Sequence, residues 1–279
     1  MSDWNKETVV KEKNKLEGAE LKGLDLSGVD LRDANLISAN MVSASLKDSD
    51  LSGANIFSAE AMCIDFRNSK LSGSNLGKAN LTRAKLQEAN LNDVDLMGAN
   101  LSGANLTRAD LIRAKLVEAN LLSANLTEAD LSEAKLTGRY QREGYVSRGA
   151  NLSKAKMVGA KFRKSDISGA DMVEADCTDV NFTDANVSEV NFKHACLKNT
   201  LFVNAKLGDA NFRSADLTGS DFSGAELIEA KFQGVDLRFV KNISPSELEL
   251  SLIDSKTQVP DYIEVIWNSE DTYECRLRQ

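Results

Sequence analysis

The chain has 279 residues, 42% hydrophobic, 27% charged and only 6% aromatic, with a formal net charge of −8. Its length would allow two ordinary domains of roughly 150 residues each. However, two Trp, four Tyr and ten Phe are too few rings to anchor two compact cores, and the recurrence of Leu, Ala, Asn and Asp favours a repeat array. A single His excludes most metal and acid–base constellations, and the acidic balance disfavours direct nucleic-acid binding. No apolar run approaches the ~18 residues that would mark a membrane helix. The charged N-terminal stretch does not read as a secretory signal. Cys63, Cys177, Cys196 and Cys275 lack CxxC spacing and are expected to be thiols in a cytoplasmic chain.

Residues 1–15 place Trp4, Val9 and Val10 among charges, as a short helix or irregular N-terminal cap would. From Leu16 to Leu136 every fifth residue is apolar, giving 25 centres of which 21 are Leu; Met41, Ile56, Ala61 and Phe66 are the exceptions. The same period runs from Leu152 to Leu237, with Phe162, Phe182, Phe192, Phe202, Phe212, Phe222 and Phe232 sharing the role. Two residues before most centres sits Ala, Ser or Val, and immediately before them Asn or Asp is common.

A period of five suits neither regular element. Five helical steps of about 100° leave successive Leu residues roughly 140° apart, and in a flat strand five steps put consecutive centres on opposite faces. The pattern becomes consistent when the small residue and the centre both point inward from a short extended piece and the chain then bends. Each pentapeptide is then one side of a coil, and stacked coils pair through backbone hydrogen bonds. Asn or Asp beside the centre suits this because its side chain bonds nearby backbone and tolerates turn dihedrals. Gly53, Gly73 and Gly103 fall at the corners. Proline, which lacks the ladder donor, is confined to Pro245 and Pro260, beyond the repeats.

Runs such as Ala99-Asn100-Leu101-Ser102-Gly103-Ala104-Asn105-Leu106-Thr107-Arg108-Ala109-Asp110-Leu111 resemble the pentapeptide-repeat family, and the resemblance covers roughly four fifths of the chain. It implies an all-β fold, a right-handed quadrilateral β-helix (a β-solenoid) with four pentapeptides per coil. The repeats in 16–136 and 150–240 would make about eleven coils, a rod on the order of 50 Å long at ~4.8 Å per coil. Ala61, Ile64 and Phe66 depart from the pattern together and read as local volume compensation, while Leu24 is an atypical repeat near the N-terminal end.

Residues 137–149 break the phase by one residue and read as an ejected loop. Between Thr137 and Gly149 lie two of the four tyrosines and three arginines against one glutamate, which makes Arg139, Tyr140, Arg142, Tyr145 and Arg148 candidate partner-binding residues. Residues 241–279 form a C-terminal cap. Ser244-Pro245-Ser246-Glu247 is a helix start, and residues 262–267 and 273–277 could pair as strands. Asp254, Thr257 and Pro260 are similar to the Asp-x-x-Thr-x-x-Pro tail of many pentapeptide-repeat proteins.

No nucleophile, phosphate cradle or metal cluster stands at workable spacing. His194 and Cys196 are a lone pair without further ligands nearby. The expectation is therefore a non-enzymatic scaffold for protein–protein interaction, without cofactor, metal, membrane or direct nucleic-acid contact, whose partner could be a second copy of the chain. Outward apolar residues spaced by multiples of twenty, Ile37, Phe57, Met97 and Val117, with Val42, Met62 and Leu122 beside them, form candidate binding columns. The alternative is implied by the family resemblance: quinolone-resistance relatives resemble duplex DNA and bind type II topoisomerases such as gyrase. An acidic column of Asp30, Asp50, Lys70, Asn90, Asp110 and Asp130 points that way, whereas Lys154, Lys156, Lys161, Arg163 and Lys164 would interrupt an anionic stripe.

Overall fold

The structure, a computed structural model, describes residues 4–137, 141–142, 145–146, 149–269 and 272–278. It opens with helix α1, Lys6–Lys11, capped by Asn5, whose side chain accepts from the Thr8 N–H at 3.0 Å. Val9 on α1 is buried and Trp4 packs partly buried against the core, whereas Val10 is exposed. A 3₁₀ turn, Lys13–Lys15, follows. The Lys13 carbonyl then accepts from the Asn35 N–H at 2.9 Å, which joins this cap to the first coil.

Each pentapeptide is one wall of a coil. The Leu101 N–H donates to the Asn120 carbonyl at 2.7 Å, and the Asn120 N–H donates to the Ala99 carbonyl at 2.9 Å. Asn100 and Asn120 thus pair in parallel, and such pairs step along the chain twenty residues apart from Glu20↔Asn40 onward. Four walls therefore complete a turn. Between walls the chain makes a β-turn, closed in one instance by the Ala104 N–H on the Leu101 carbonyl at 2.9 Å. The third residue of these turns is left-handed from Gly18 to Glu133 and from Lys154 to Gly234, as a type II turn requires. Many are not glycine: Arg108, Glu118 and Lys154 stand at φ 56°, 59° and 58°. Where Asn or Asp precedes a centre it supports the turn, as when Asn100 Oδ1 accepts from the Ser102 N–H at 3.1 Å. With one paired residue between two turns, a wall is too short to be a strand. The β character thus lies almost wholly in single parallel bridges.

The centres and the small residues two positions before them fill the interior, including Ala61, Ile64 and Phe66 together. Where Ser replaces the small Ala, its hydroxyl finds a backbone carbonyl, as Ser69 donates to the Phe66 carbonyl at 2.6 Å and Ser49 to the Leu26 carbonyl of the adjacent coil at 3.0 Å. Leu packs the first half. In the second, Phe162, Phe182, Phe202 and Phe222 ascend one wall and Phe192, Phe212 and Phe232 the facing one. Rings on one wall are 4.9–5.4 Å apart, and rings from facing walls meet edge-on at 5.8–6.2 Å.

Around the interruption the pairing interval lengthens from twenty to thirty-one residues for Asn120↔Asn151, Asn125↔Lys156, Asp130↔Lys161 and Lys135↔Asp166, then returns to twenty at Asn151↔Asp171. Eleven residues are therefore inserted without breaking the ladder. The Ala150 N–H still donates to the Leu136 carbonyl at 2.9 Å, as the residue two before a centre does to the preceding centre elsewhere, so the insert leaves from the corner and returns to it. Within the insert, β1 (Gln141–Arg142) pairs antiparallel with β2 (Tyr145–Val146). Gly149 is fixed by space: a Cβ there would lie 2.5 Å from the Gly169 carbonyl oxygen and 2.6 Å from the Ala170 nitrogen.

At the C-terminal end the ladder continues into the tail through Lys231↔Leu252 and Asp236↔Gln258. Helix α2, Pro245–Glu249, begins with Ser244 accepting from the Glu247 N–H at 3.1 Å. Asp254 Oδ1 accepts from the Gly234 N–H at 2.9 Å and from the Thr257 N–H at 3.0 Å, and the Thr257 hydroxyl donates to the Phe232 carbonyl at 3.0 Å. The Asp-x-x-Thr segment thus ties the tail onto the end coil. Strands β3 (Ile263–Trp267) and β4 (Tyr273–Leu277) form an antiparallel hairpin against α2.

Candidate interaction face

The residue after each centre points outward, and stacking places such residues directly above one another. On one wall these are Ile37, Phe57, Gly77, Met97, Val117 and Thr137. The N–H of Ser38 meets the Phe57 carbonyl, that of Ser58 the Gly77 carbonyl and that of Lys78 the Met97 carbonyl, each at 2.9 Å. The Phe57 ring covers Gly77, where a Cβ would fall 3.1 Å from its Cδ2, and Lys78 Nζ lies 5.8 Å from the ring centroid. The column is therefore continuous despite its glycine. Met97 is 42% exposed, but Val117 is only 7% exposed, which corrects its reading as a surface contact: it is part of the floor of this wall. The neighbouring column is not continuous, since Thr82 and Ser102 separate exposed Met62 from exposed Leu122, and Val42 is half-buried.

Beyond Thr137 the same column runs through Ser168 and Ser188, with the Ser168 hydroxyl donating to Thr137 Oγ1 at 3.0 Å. The side chains shrink from Met97 and Val117 to serine, leaving a groove of about 580 Å³. Lys115, Lys135, Asp166 and Asn186, which precede the centres, form one rim. Asp166 Oδ1 accepts from the Ser168 N–H and hydroxyl at 3.1 and 2.8 Å and from Asn186 Nδ2 at 3.1 Å.

The inserted segment leaves the coil at Thr137, itself a rung of this column, and rejoins it at Gly149. Arg139, Tyr140 and Arg148 lie outside the described residues. Arg142 and Tyr145 pair through their backbones in β1 and β2, and their side chains are likewise outside the description.

On the wall proposed as anionic, the carboxylates are already engaged. Arg32 holds Asp30 through two hydrogen bonds of 2.9 and 2.6 Å, keeping it well below the usual carboxylate range. Lys70 lies 3.9 Å from Asp50, Lys161 lies 3.2 Å from Asp130, and Asp110 accepts from Asn92 at 2.7 Å. Burial alone would raise Asp130, but the Ser132 hydroxyl and N–H together with Lys161 leave it lowered. Three of the stripe's four aspartates are thus ion-paired, and the fourth, Asp110, is held by a neutral amide. Of the interleaved cations, Lys154 pairs with Glu174 at 3.7 Å, while Lys156, Arg163 and Lys164 are exposed.

Among the described residues no group of three or more His, Cys, Asp or Glu could hold a metal ion, and no helix is long and apolar enough to cross a membrane. His194 is exposed at a corner with φ 62°, and Cys196 lies 3.3 Å from the Thr178 hydroxyl. All four cysteines are free, and burial pushes the Cys177 thiol far up.

The sequence profile of pentapeptide repeats matches eight times, over residues 15–55, 64–103, 104–138, 147–169, 164–199 and 205–238. The chain belongs to the pentapeptide-repeat family. This pentapeptide-repeat protein is 28% identical to HetL, a protein involved in heterocyst differentiation regulation from the cyanobacterium Nostoc sp. strain PCC 7120; the match covers 80% of this chain and 93% of HetL, with a TM-score of 0.42. It is 20% identical to QnrB1, a plasmid-mediated fluoroquinolone resistance protein, over 70% of this chain and 84% of that one, with a TM-score of 0.36. It is also similar to Rfr23 from the cyanobacterium Cyanothece 51142 (17% identity, 68% and 90% covered, TM-score 0.16). No curated protein sequence matches it significantly.

Sequence reasoning missed Lys115, Lys135, Thr137, Asp166, Ser168, Asn186 and Ser188. Lys115 and Lys135 carried a readable signal, being twenty residues apart at equivalent positions. Asp166 and Ser168 join them only through the thirty-one-residue interval.

Proposed function

We propose that this pentapeptide-repeat protein is a non-catalytic cytoplasmic scaffold that binds a protein partner along the wall from Ile37 to Ser188. The rod behind that wall is a right-handed quadrilateral solenoid of about eleven coils. The observation that carries this reading is the convergence of an apolar column, a groove and the insertion junction on a single wall. Apolar surface aligned over several coils marks an interaction site, whereas scattered residues do not. A rigid rod also presents such a column without ordering cost, which favours affinity.

A photo-crosslinking amino acid at Met97, compared with one at Thr107 on another wall, tests the proposal in cells. Partner crosslinks from Met97 that are absent from Thr107 are expected; equal or absent crosslinking refutes it. Phe57→Glu with Met97→Glu should likewise abolish association seen by light scattering or pull-down. The alternative, a DNA mimic that binds gyrase and modulates quinolone sensitivity, is disfavoured by the ion-paired acidic stripe. It predicts inhibition in a gyrase supercoiling assay at micromolar protein, changed by deletion of residues 138–148.

A further inference from the structure

We infer that the groove between Met97 and Ser188 receives an extended acidic segment of the partner protein, an inference that rests on the scaffold reading above. The ladder itself carries the argument. Among the described residues three bridged pairs carry like charges: Asp30↔Asp50, Asp110↔Asp130 and Lys115↔Lys135. Like charges placed opposite each other are destabilising. In each aspartate pair a cation relieves the charge, Arg32 and Lys70 in the first and Lys161 in the second. The lysine pair makes no such close contact, its relief being limited to the flanking acids Asp93, Asp95 and Asp166. Neither Lys115 nor Lys135 makes an ion pair among the described residues, although Asp95 and Asp166 occupy the neighbouring rungs. Asp166 is instead held by Ser168 and Asn186.

Both lysines are exposed and line the same groove as Met97 and Val117. An anion with an apolar neighbour matches that lining, because carboxylates relieve the lysine pair while apolar side chains cover Met97 and Val117. The length of the groove selects a peptide. Met97, Val117, Thr137, Ser168 and Ser188 occupy successive rungs, so the floor extends about 19 Å at ~4.8 Å per rung, and an extended segment of about six residues at ~3.3 Å each spans it. A single small anion would contact one end only. A nucleic-acid strand would meet two cations flanked by aspartates, too little positive charge for a phosphate backbone.

The test uses the full chain and a fluorescein-labelled hexapeptide of alternating Leu and Asp/Glu, read by fluorescence polarisation, beside the same peptide with Lys in place of each acid. Lys115→Glu/Lys135→Glu places acids on four successive rungs from Asp95 to Asp166, so its melting curve is recorded first, and Lys115→Gln/Lys135→Gln, which removes the lysine charges without adding like ones, is titrated beside it. Saturable binding of the acidic peptide that weakens about tenfold in the double Glu variant, with preference switching to the lysine peptide, supports the inference. Equal binding by wild type and variant, no saturable binding at 1 mM peptide, or displacement of the peptide by a labelled single-stranded oligonucleotide overturns it. If Met97 crosslinks a partner undiminished in the double variant, the acidic-segment inference falls while the scaffold reading stands. If Met97 yields no partner in wild type, the scaffold reading falls and the peptide titration still judges the groove.

Discussion

Truncating Phe202 probes whether the solenoid is held by its inner ladder. Phe202 is fully buried and stacks between Phe182 at 5.4 Å and Phe222 at 5.2 Å. Phe192 and Phe212 meet it edge-on from the facing wall at 6.0 and 5.8 Å. Replacing a buried Phe by Ala costs about 3–5 kcal/mol. The upper part of that range is expected, because aromatic pairs worth ~0.5–1.5 kcal/mol each are also lost and the bridged walls resist collapse into the cavity. Phe202→Leu should cost only about 1–1.5 kcal/mol, since it preserves most of the apolar volume and Leu91, Leu111 and Leu131 already fill this wall in the first half. Urea denaturation followed by circular dichroism measures both variants. Hydrogen exchange at the Phe202 and Asn204 amides, bonded to Asp221 and Ser223 at 2.8 Å, locates the loss. Equal costs for Ala and Leu, or loosening that begins in the Leu-filled half, would refute the ladder argument.

Four further outcomes follow from the same geometry. Gly149→Ala drives a Cβ into the Gly169–Ala170 backbone and should destabilise the protein by about 2–3 kcal/mol, read as a lowered Tm; an unchanged Tm contradicts the close approach. Ser123→Gly removes an L-residue from φ 57°. The left-handed penalty of ~1–2 kcal/mol exceeds the extra chain entropy of Gly at ~0.5–1 kcal/mol, so a small gain in urea midpoint is expected, and a loss counts against the turn assignment. Asp254→Ala frees the Gly234 and Thr257 N–H groups and should cost about 1–2 kcal/mol, with exchange accelerating first in the end coil. Stability should hold from pH 7 to about 5 and fall below about pH 4. Asp65 is lowered chiefly by Arg67 and Asp236 chiefly by Arg238, so near pH 4 the unfolded chain binds more protons than the folded one, and the stabilisation disappears as pH drops through the folded values. A urea midpoint constant down to pH 2.5 would exclude this linkage.

Much of the fold was legible because the repeat is local. Leu101 and Ala99 face inward for the same reason at every wall, Gly103 turns the corner, and Ser244 with Pro245 starts α2. What the sequence did not reveal was how little formal strand the walls contain, since a pentapeptide with two turn residues leaves only one for the bridge. The outward residues were read less well. Val42, Met62 and Leu122 share a column number, yet intervening Thr82 and Ser102 separate them, and Val117 is covered where spacing alone counted it exposed.

Period and side-chain size thus determined, from sequence alone, which residues fill this pentapeptide-repeat protein and where its chain bends. The stacking register decided which surface residues meet. It carries Lys135 across an eleven-residue insertion to Asp166, sets Thr137 against Ser168 and leaves Lys115 opposite Lys135. The physical reason is that inward positions must satisfy packing within each wall, whereas outward positions obey no such constraint and acquire their neighbours only when one coil settles on the next.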